Sequence, residues 1–251
     1  RSVYQGKALD SHIECASIEN SGNSNQVTQR LEILKQTIDD NLSATIRHAE
    51  LVQTALPLCP EVSLFLLSDD YPRGRMPDDE MLRILDAPAY WAFCWASGQV
   101  MARYLTQNPE IVKGKSVLDF GSGSGVVAIA ACLAGADHVI ACDNDPMSQS
   151  AIKANACLNN VEIQQLDDIN KLDNSVDVVV AADVLYDRDN FPLLTLLPDL
   201  GDEILIADSR IKQFELQGYE ILDRVTTTTI PDLDELKEYS DVKVYRAIKA
   251  R

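Results

Sequence analysis

Five aspartates, Asp119, Asp143, Asp168, Asp183 and Asp208, recur at intervals of 15 to 25 residues in the second half of the chain. Each stands at or just past the end of a short apolar run. A carboxylate in such a place can accept hydrogen bonds from hydroxyls and amides, hold a cation, or take a proton. A helix cap or a turn accounts for any one of them, and accounts poorly for five in series. Beside the first lies the stretch "VLDFGSGSG", in which Gly121, Gly123 and Gly125 are spaced G-x-G-x-G. Glycine turns of this kind let a ligand touch backbone. The dinucleotide fingerprint asks for its third glycine three residues after the second, where this chain has Val126.

Charge separates the two ligand classes that use such loops. A pyrophosphate is drawn by helix amides and cations and repelled by an acid. Asp119 stands two residues before Gly121, and no Lys or Arg occurs between Ser116 and Asn144. An acidic loop suits S-adenosylmethionine, which carries a sulfonium and an ammonium and no phosphate. On that expectation Asp143, 22 residues beyond Gly121, accepts from ribose hydroxyls, as acids do in βαβ nucleotide sites. Asp168 accepts from the adenine amino group beside the apolar Ile169. Asp119 lies near the methionine ammonium, directly or through water. Trp95 and Tyr90 fold over the adenosine or pack in the core against the N-terminal helix. Arg210 meets the methionine carboxylate, an acid of the substrate, or a surface partner.

The elements that must position these groups follow from periodicity. From Val27 to about Leu56 apolar residues recur every three to four positions, which predicts one amphipathic helix ended by Pro57 and Pro60. A short strand over 61–67 and a helix from about Ser97 complete the first half. From Lys115 onward, apolar runs at 116–120, 138–142, 161–166, 176–182 and 203–207 alternate with helical stretches at 124–134, 147–159 and about 190–197. That βαβα alternation predicts a doubly wound α/β fold with a mostly parallel seven-stranded sheet. Runs at 219–225 and 242–248, with no strong helix between them, are expected to pair antiparallel at one edge. The expected organisation is a flexible segment over 1–26, a helical cap region over 27–110 and a ligand-binding domain over 111–251.

Bulk composition narrows the function classes. The 251 residues are 46% hydrophobic, enough for one large core with an appendage. No run of eighteen apolar residues is present, so no membrane span is expected. The polar opening residues lack the apolar core of a signal peptide. Six scattered cysteines without a CxxC pair suggest reduced structural thiols and a cytoplasmic protein. Three isolated histidines predict no metal site. A net charge of −17 argues against a nucleic-acid partner and favours one that presents cationic side chains.

"VLDFGSGSG", "ACDNDP" and "VVVAADVLYD" resemble the glycine loop, ribose acid and post-fourth-strand motif of seven-stranded S-adenosylmethionine-dependent methyltransferases. The D-x-x-Y of Asp183 and Tyr186 resembles the signature of the protein-lysine branch called methyltransferase family 16. Over about 60–210, through "PEVSLFLLS", "AYWAFCWASGQVMARYL" and "LIADSR", the chain is similar to the electron-transfer flavoprotein β-subunit lysine methyltransferases. "DSR" departs from the family, which usually has a proline and a glycine near that arginine. The resemblance implies cofactor contacts from Trp95, Asp119, Gly121, Ser122, Gly123, Asp143, Asn144, Asp168, Ile169 and Ala182. It implies that Asp183 and Tyr186 receive a lysine of a protein substrate, in a monomeric enzyme. A small amine or a ribosomal protein as acceptor, and a non-catalytic binding module, remain the alternatives at this point.

Overall fold

A computed structural model describes residues 24–71, 74, 76–185, 190–210 and 218–249. The chain begins with α1 (Ser24–Thr45), then a hairpin of β1 (Leu51–Leu56) and β2 (Cys59–Leu67), then α2 (Asp78–Asp86) and α3 (Ala96–Gln107). A single alternating unit follows: β3 (Ser116–Phe120), α4 (Val126–Leu133), β4 (His138–Cys142), α5 (Pro146–Leu158), β5 (Gln164–Leu166), β6 (Val176–Ala182), α6 (Leu193–Leu200) and β7 (Gly201–Asp208). It closes with β8 (Tyr219–Thr226) and β9 (Asp241–Ile248). The segment expected to be flexible lies, up to residue 23, outside the described residues.

The expected helix to Leu56 is corrected. The helix stops at Thr45, His48 takes a left-handed turn at φ 60, and 51–56 form a strand against β2. Apolar residues of the stripe, Ile38, Leu42, Ile46 and Ala49, are indeed buried. Leu51 and Leu56 continue that spacing by coincidence, because short apolar runs suit either period. Pro57 therefore sits in a hairpin turn and ends no helix. The open edge of β2 is met by side chains of α5. Asn155 Oδ1 accepts from Phe65 N at 2.8 Å, and Asn159 accepts from Ser63 N at 3.0 Å while donating to Ser63 O at 2.6 Å. Two amides one helical turn apart thus take the place of a third strand.

The large sheet runs β5-β4-β3-β6-β7-β9-β8, with β9 antiparallel to both β7 and β8. Successive residues of its central strands face opposite sides. Val117, Val178, Val180 and Leu205 pack with α3, α4 and β2, whereas Leu118, Val179, Ala181 and Ile204 pack with Leu197 of α6. Burial on both faces explains why these strands read as unbroken apolar runs. Strand order reverses between β3 and β6, and a ligand crevice belongs beyond the strand ends at such a switch point.

Candidate active site

A cleft of about 850 Å³ opens there, lined by the ends of β3, β4 and β6 and by Tyr90 and Trp95. At its floor β3 turns into the glycine loop. Gly121, Gly123 and Gly125 have φ of 71°, 53° and 84°, where a side chain is strained. A Cβ on Gly121 would also stand 2.6 Å from Val184 Cγ1, so the loop and the end of β6 touch only because no side chain intervenes. Gly121 and Gly123 both line the cleft.

Asp119 and Ser122 do not line it, contrary to the sequence expectation. The Asp119 carboxylate is buried and accepts from Ser122 Oγ at 2.6 Å and Ala128 N at 3.0 Å, tying strand, loop and α4 together. A carboxyl so deep finds the nearest donors of its own loop, since leaving them unmet would cost more. Burial pushes it up to about 7, the two hydrogen bonds opposing. The sign of the linkage follows: between about 3.8 and about 7 the folded chain keeps a proton that the unfolded chain has lost. Stability is therefore lost as pH rises through that window. Asp119→Asn keeps an acceptor oxygen and should narrow the gap in melting temperature between pH 5 and pH 8. An unchanged gap contradicts this account of the loop.

At the end of β4, Asp143 is half-buried and accepts from Gly123 N at 2.8 Å and Asp145 N at 3.0 Å. Burial, foremost, raises its carboxyl above the ordinary range. Asn144 is exposed on the cleft wall. Asp145, which sequence reading passed over, caps α5 by accepting from Met147 N and Ser148 N, with Pro146 at the first helical position. Its D-P signal was readable as a cap, and the cap faces the cleft. Past β5, Asp168 accepts from Asn170 N at 2.9 Å and caps a short 3₁₀ turn, so it is both the turn residue and a cleft residue. Asp167 and Ile169 flank it on the same wall.

The far end of the cleft is built by β6. Ala182 lines it, and Asp183 follows in the left-handed region at φ 54. Ser97, at the second position of α3, donates its amide to Asp183 Oδ2 at 2.9 Å and its hydroxyl to Oδ1 at 2.7 Å. Burial above all, and then the neighbouring Asp208, raise Asp183 to about 7, against the pull of Ser97 and Arg210. Tyr186, the partner expected for Asp183, lies outside the described residues. Asp208 is buried and accepts from Arg210 N, so it does not line the cleft. Of the five carboxylates read as one row, Asp143, Asp168 and Asp183 line the cleft, and Asp145 and Asp167 join them.

Trp95 and Tyr90 stand on the cleft wall, not in the core; that place is taken by the fully buried Trp91. Trp95 Nε1 donates to Tyr90 O at 3.0 Å, and the two rings meet edge to face at 5.7 Å. Arg210 is on the wall too, paired with Glu235 at 2.8 Å and stacked on Tyr239 at 4.6 Å. The cation is thus already engaged by the segment between β8 and β9. The buried thiols of Cys59 and Cys142 are pushed up to about 11 and about 12 by burial, which keeps them protonated and unreactive.

The chemistry of this lining fits a cationic nucleoside. Backbone is bare at Gly121 and Gly123, five carboxylates face the space, and aromatic and apolar walls flank it. Residues 102–199 match the family model described as ribosomal protein L11 methyltransferase (PrmA). The electron transfer flavoprotein beta subunit lysine methyltransferase of Rattus norvegicus is 34% identical over 206 residues, covering 78% of this chain and 79% of the relative. That of Danio rerio is 34% identical over 210 residues, covering 80% of each. A solved structure of the T. thermophilus 16S rRNA N2 G1207 methyltransferase (RsmC), in complex with AdoMet and guanosine, matches with a TM-score of 0.51 at 14% identity. It covers 80% of this chain and 51% of that one, a likeness of fold. The chain belongs to the family of the electron transfer flavoprotein beta subunit lysine methyltransferases, enzymes that depend on S-adenosylmethionine.

Proposed function

We propose that this enzyme methylates lysine side chains of a protein substrate, with an electron transfer flavoprotein β subunit as the target class that its relatives' names point to. The observation that carries the reading is Asp183: a carboxylate of raised pKa, clamped by Ser97, at the end of an acid-lined cleft. Asp143 and Asp168 would hold the ribose and the adenine, Ile169 and the Trp95 and Tyr90 rings would cover the base, and Gly121 and Gly123 would pass backbone beneath it. Asp119 and Ser122 serve this site indirectly, by fixing the loop. When bound, S-adenosylmethionine supplies a methyl group on a positively charged sulfur.

Asp183 receives the lysine ammonium and fixes the nitrogen, and positioning is the larger part of the help such a transfer needs. The ammonium must also lose a proton. Transfer from a lysine near 10.4 to an ordinary carboxylate is uphill by about 9 kcal/mol, but to Asp183 by about 5 kcal/mol. The raised carboxyl is therefore a usable base. With the cofactor bound, Trp95 and Tyr90 on the cleft wall would shield the space between from water.

The net charge of −17 supports a basic protein surface over a nucleic acid as the acceptor. The match to ribosomal protein L11 methyltransferases spans the cofactor half, so a ribosomal protein is the second reading. Incubating the enzyme with methyl-labelled cofactor and purified electron transfer flavoprotein, then mapping the label by mass spectrometry, tests the assignment. Label on lysines of the β subunit is the expected result. Label confined to ribosomal protein, RNA or small molecules when cell lysate is offered would overturn it.

A further inference from the structure

Ser97 is buried, stands 86 residues from Asp183 in the chain, and reaches it with two donors. The hydroxyl meets one carboxylate oxygen and the amide the other, which fixes the plane of the carboxylate as one contact would not. A carboxylate offers roughly four lone-pair sites, and this grip takes one on each oxygen. The rest remain for an incoming ammonium.

The clamp has a rigid base. Trp95, the residue before α3, forms the cleft wall two positions ahead of Ser97. Gly98, next along, packs so closely that a Cβ there would stand 2.9 Å from Val126 Cγ1 at the start of α4. Gln99 accepts from Leu58 N at 3.0 Å and donates to Thr227 Oγ1 at 3.3 Å, pinning the same turn to the hairpin and to the segment after β8. Asp183 for its part is held in the left-handed region, with its amide donating to Ala207 O at 3.1 Å. Both partners are set by the fold before any ligand arrives.

We propose that Ser97 is a positioning residue of the transfer reaction, holding the Asp183 carboxylate in the orientation that receives the lysine ammonium and accepts its proton. The inference rests on the reading of Asp183 given above. In the proton step an N–H bond of the ammonium breaks, its electron pair stays on nitrogen, and an O–H bond forms on Asp183.

Other charged groups act on the same carboxyl among the described residues. Asp208 of β7 raises its pKa and Arg210 lowers it, while the buried Cys94 thiol beside it is held neutral by burial. Ser97 adds to the lowering side, because hydrogen bonds to the charged form favour it.

Ser97→Ala should lower kcat about tenfold, the effect of losing one hydrogen bond to a charged group. It should leave KM for the cofactor and S-adenosylhomocysteine affinity unchanged. It should also move the acidic limb of the kcat/KM profile to higher pH by roughly one pH unit. Ser97→Cys, with a weak donor of similar size, should fall between the two and carries the test if the alanine variant melts at assay temperature. A loss of turnover with the acidic limb unmoved in both variants would show a structural role only and overturn the proposal. Full turnover in Asp183→Asn, by contrast, would remove Asp183 itself from the reaction, a failure of the underlying reading rather than of the clamp.

Discussion

Asp183→Asn is expected to lower methyl transfer by about 10²–10⁴-fold while cofactor affinity stays within a factor of about three, a pattern set by the scale of general-base effects. The asparagine has the same shape and keeps one acceptor oxygen for Ser97. It loses the negative charge that draws an ammonium and the site that takes a proton. Asp183 is held by Ser97, whereas the ribose and adenine are assigned to Asp143 and Asp168, so S-adenosylhomocysteine should still bind. Removing a carboxyl that burial already penalises should also leave the melting temperature near that of the parent at pH 8. Single-turnover assays beside calorimetry separate these effects. Turnover within a factor of about three of wild type would mean that proton loss and amine placement are managed elsewhere.

Asp143→Ala is expected to act in the opposite sense, weakening S-adenosylhomocysteine by about 10²-fold, since each hydrogen bond to a charged group contributes roughly 1.5–3 kcal/mol. Two losses combine. The ribose hydroxyls lose their acceptor, and the amides of Gly123 and Asp145 lose the oxygens that hold them 2.8 and 3.0 Å away. Gly123 sits in the left-handed region, where released backbone has other conformations to visit. Asp143→Asn, keeping one acceptor, should cost less, about tenfold. At saturating cofactor both variants should recover much of kcat. A variant that lost kcat and kept affinity would place Asp143 outside the cofactor site.

How much of this was legible in the sequence depended on how local the cause was. β3, β4 and β6 match their expected limits because each is a short apolar run, with the glycine loop after the first and an aspartate directly after each of the other two. The antiparallel β8–β9 pair was readable because no helix separates the runs. Of the β1–β2 hairpin only the second strand was read; β1 was taken into the preceding helix because Leu51 and Leu56 continue its apolar spacing, although its partner β2 follows within a few residues. Asp119 was misplaced for a related reason. Its spacing showed that it belonged to the loop, while burial and the reach of Ser122 Oγ decided which way it points. Ser97 gave no signal at all, since a serine near a helix start reads as a cap, and its partner lies on β6. Asp145 and Asp167 stand in the chain beside Asp143 and Asp168 and were not read as site residues.

What survives the loss of Asp119 and Asp208 from the row is the sign of the cleft. Asp143, Asp145, Asp167, Asp168 and Asp183 line it, and the one cation among its described lining residues, Arg210, is paired with Glu235. A diphosphate entering this space would meet carboxylates with no free cation to offset them, whereas a sulfonium and an ammonium are favoured. Calorimetric titration of the wild-type enzyme with S-adenosylmethionine, S-adenosylhomocysteine and NAD, run beside the Asp143 variants, tests this most directly. The account predicts saturable binding of the first two and no heat from NAD. Saturable binding of NAD that displaces S-adenosylhomocysteine would contradict it.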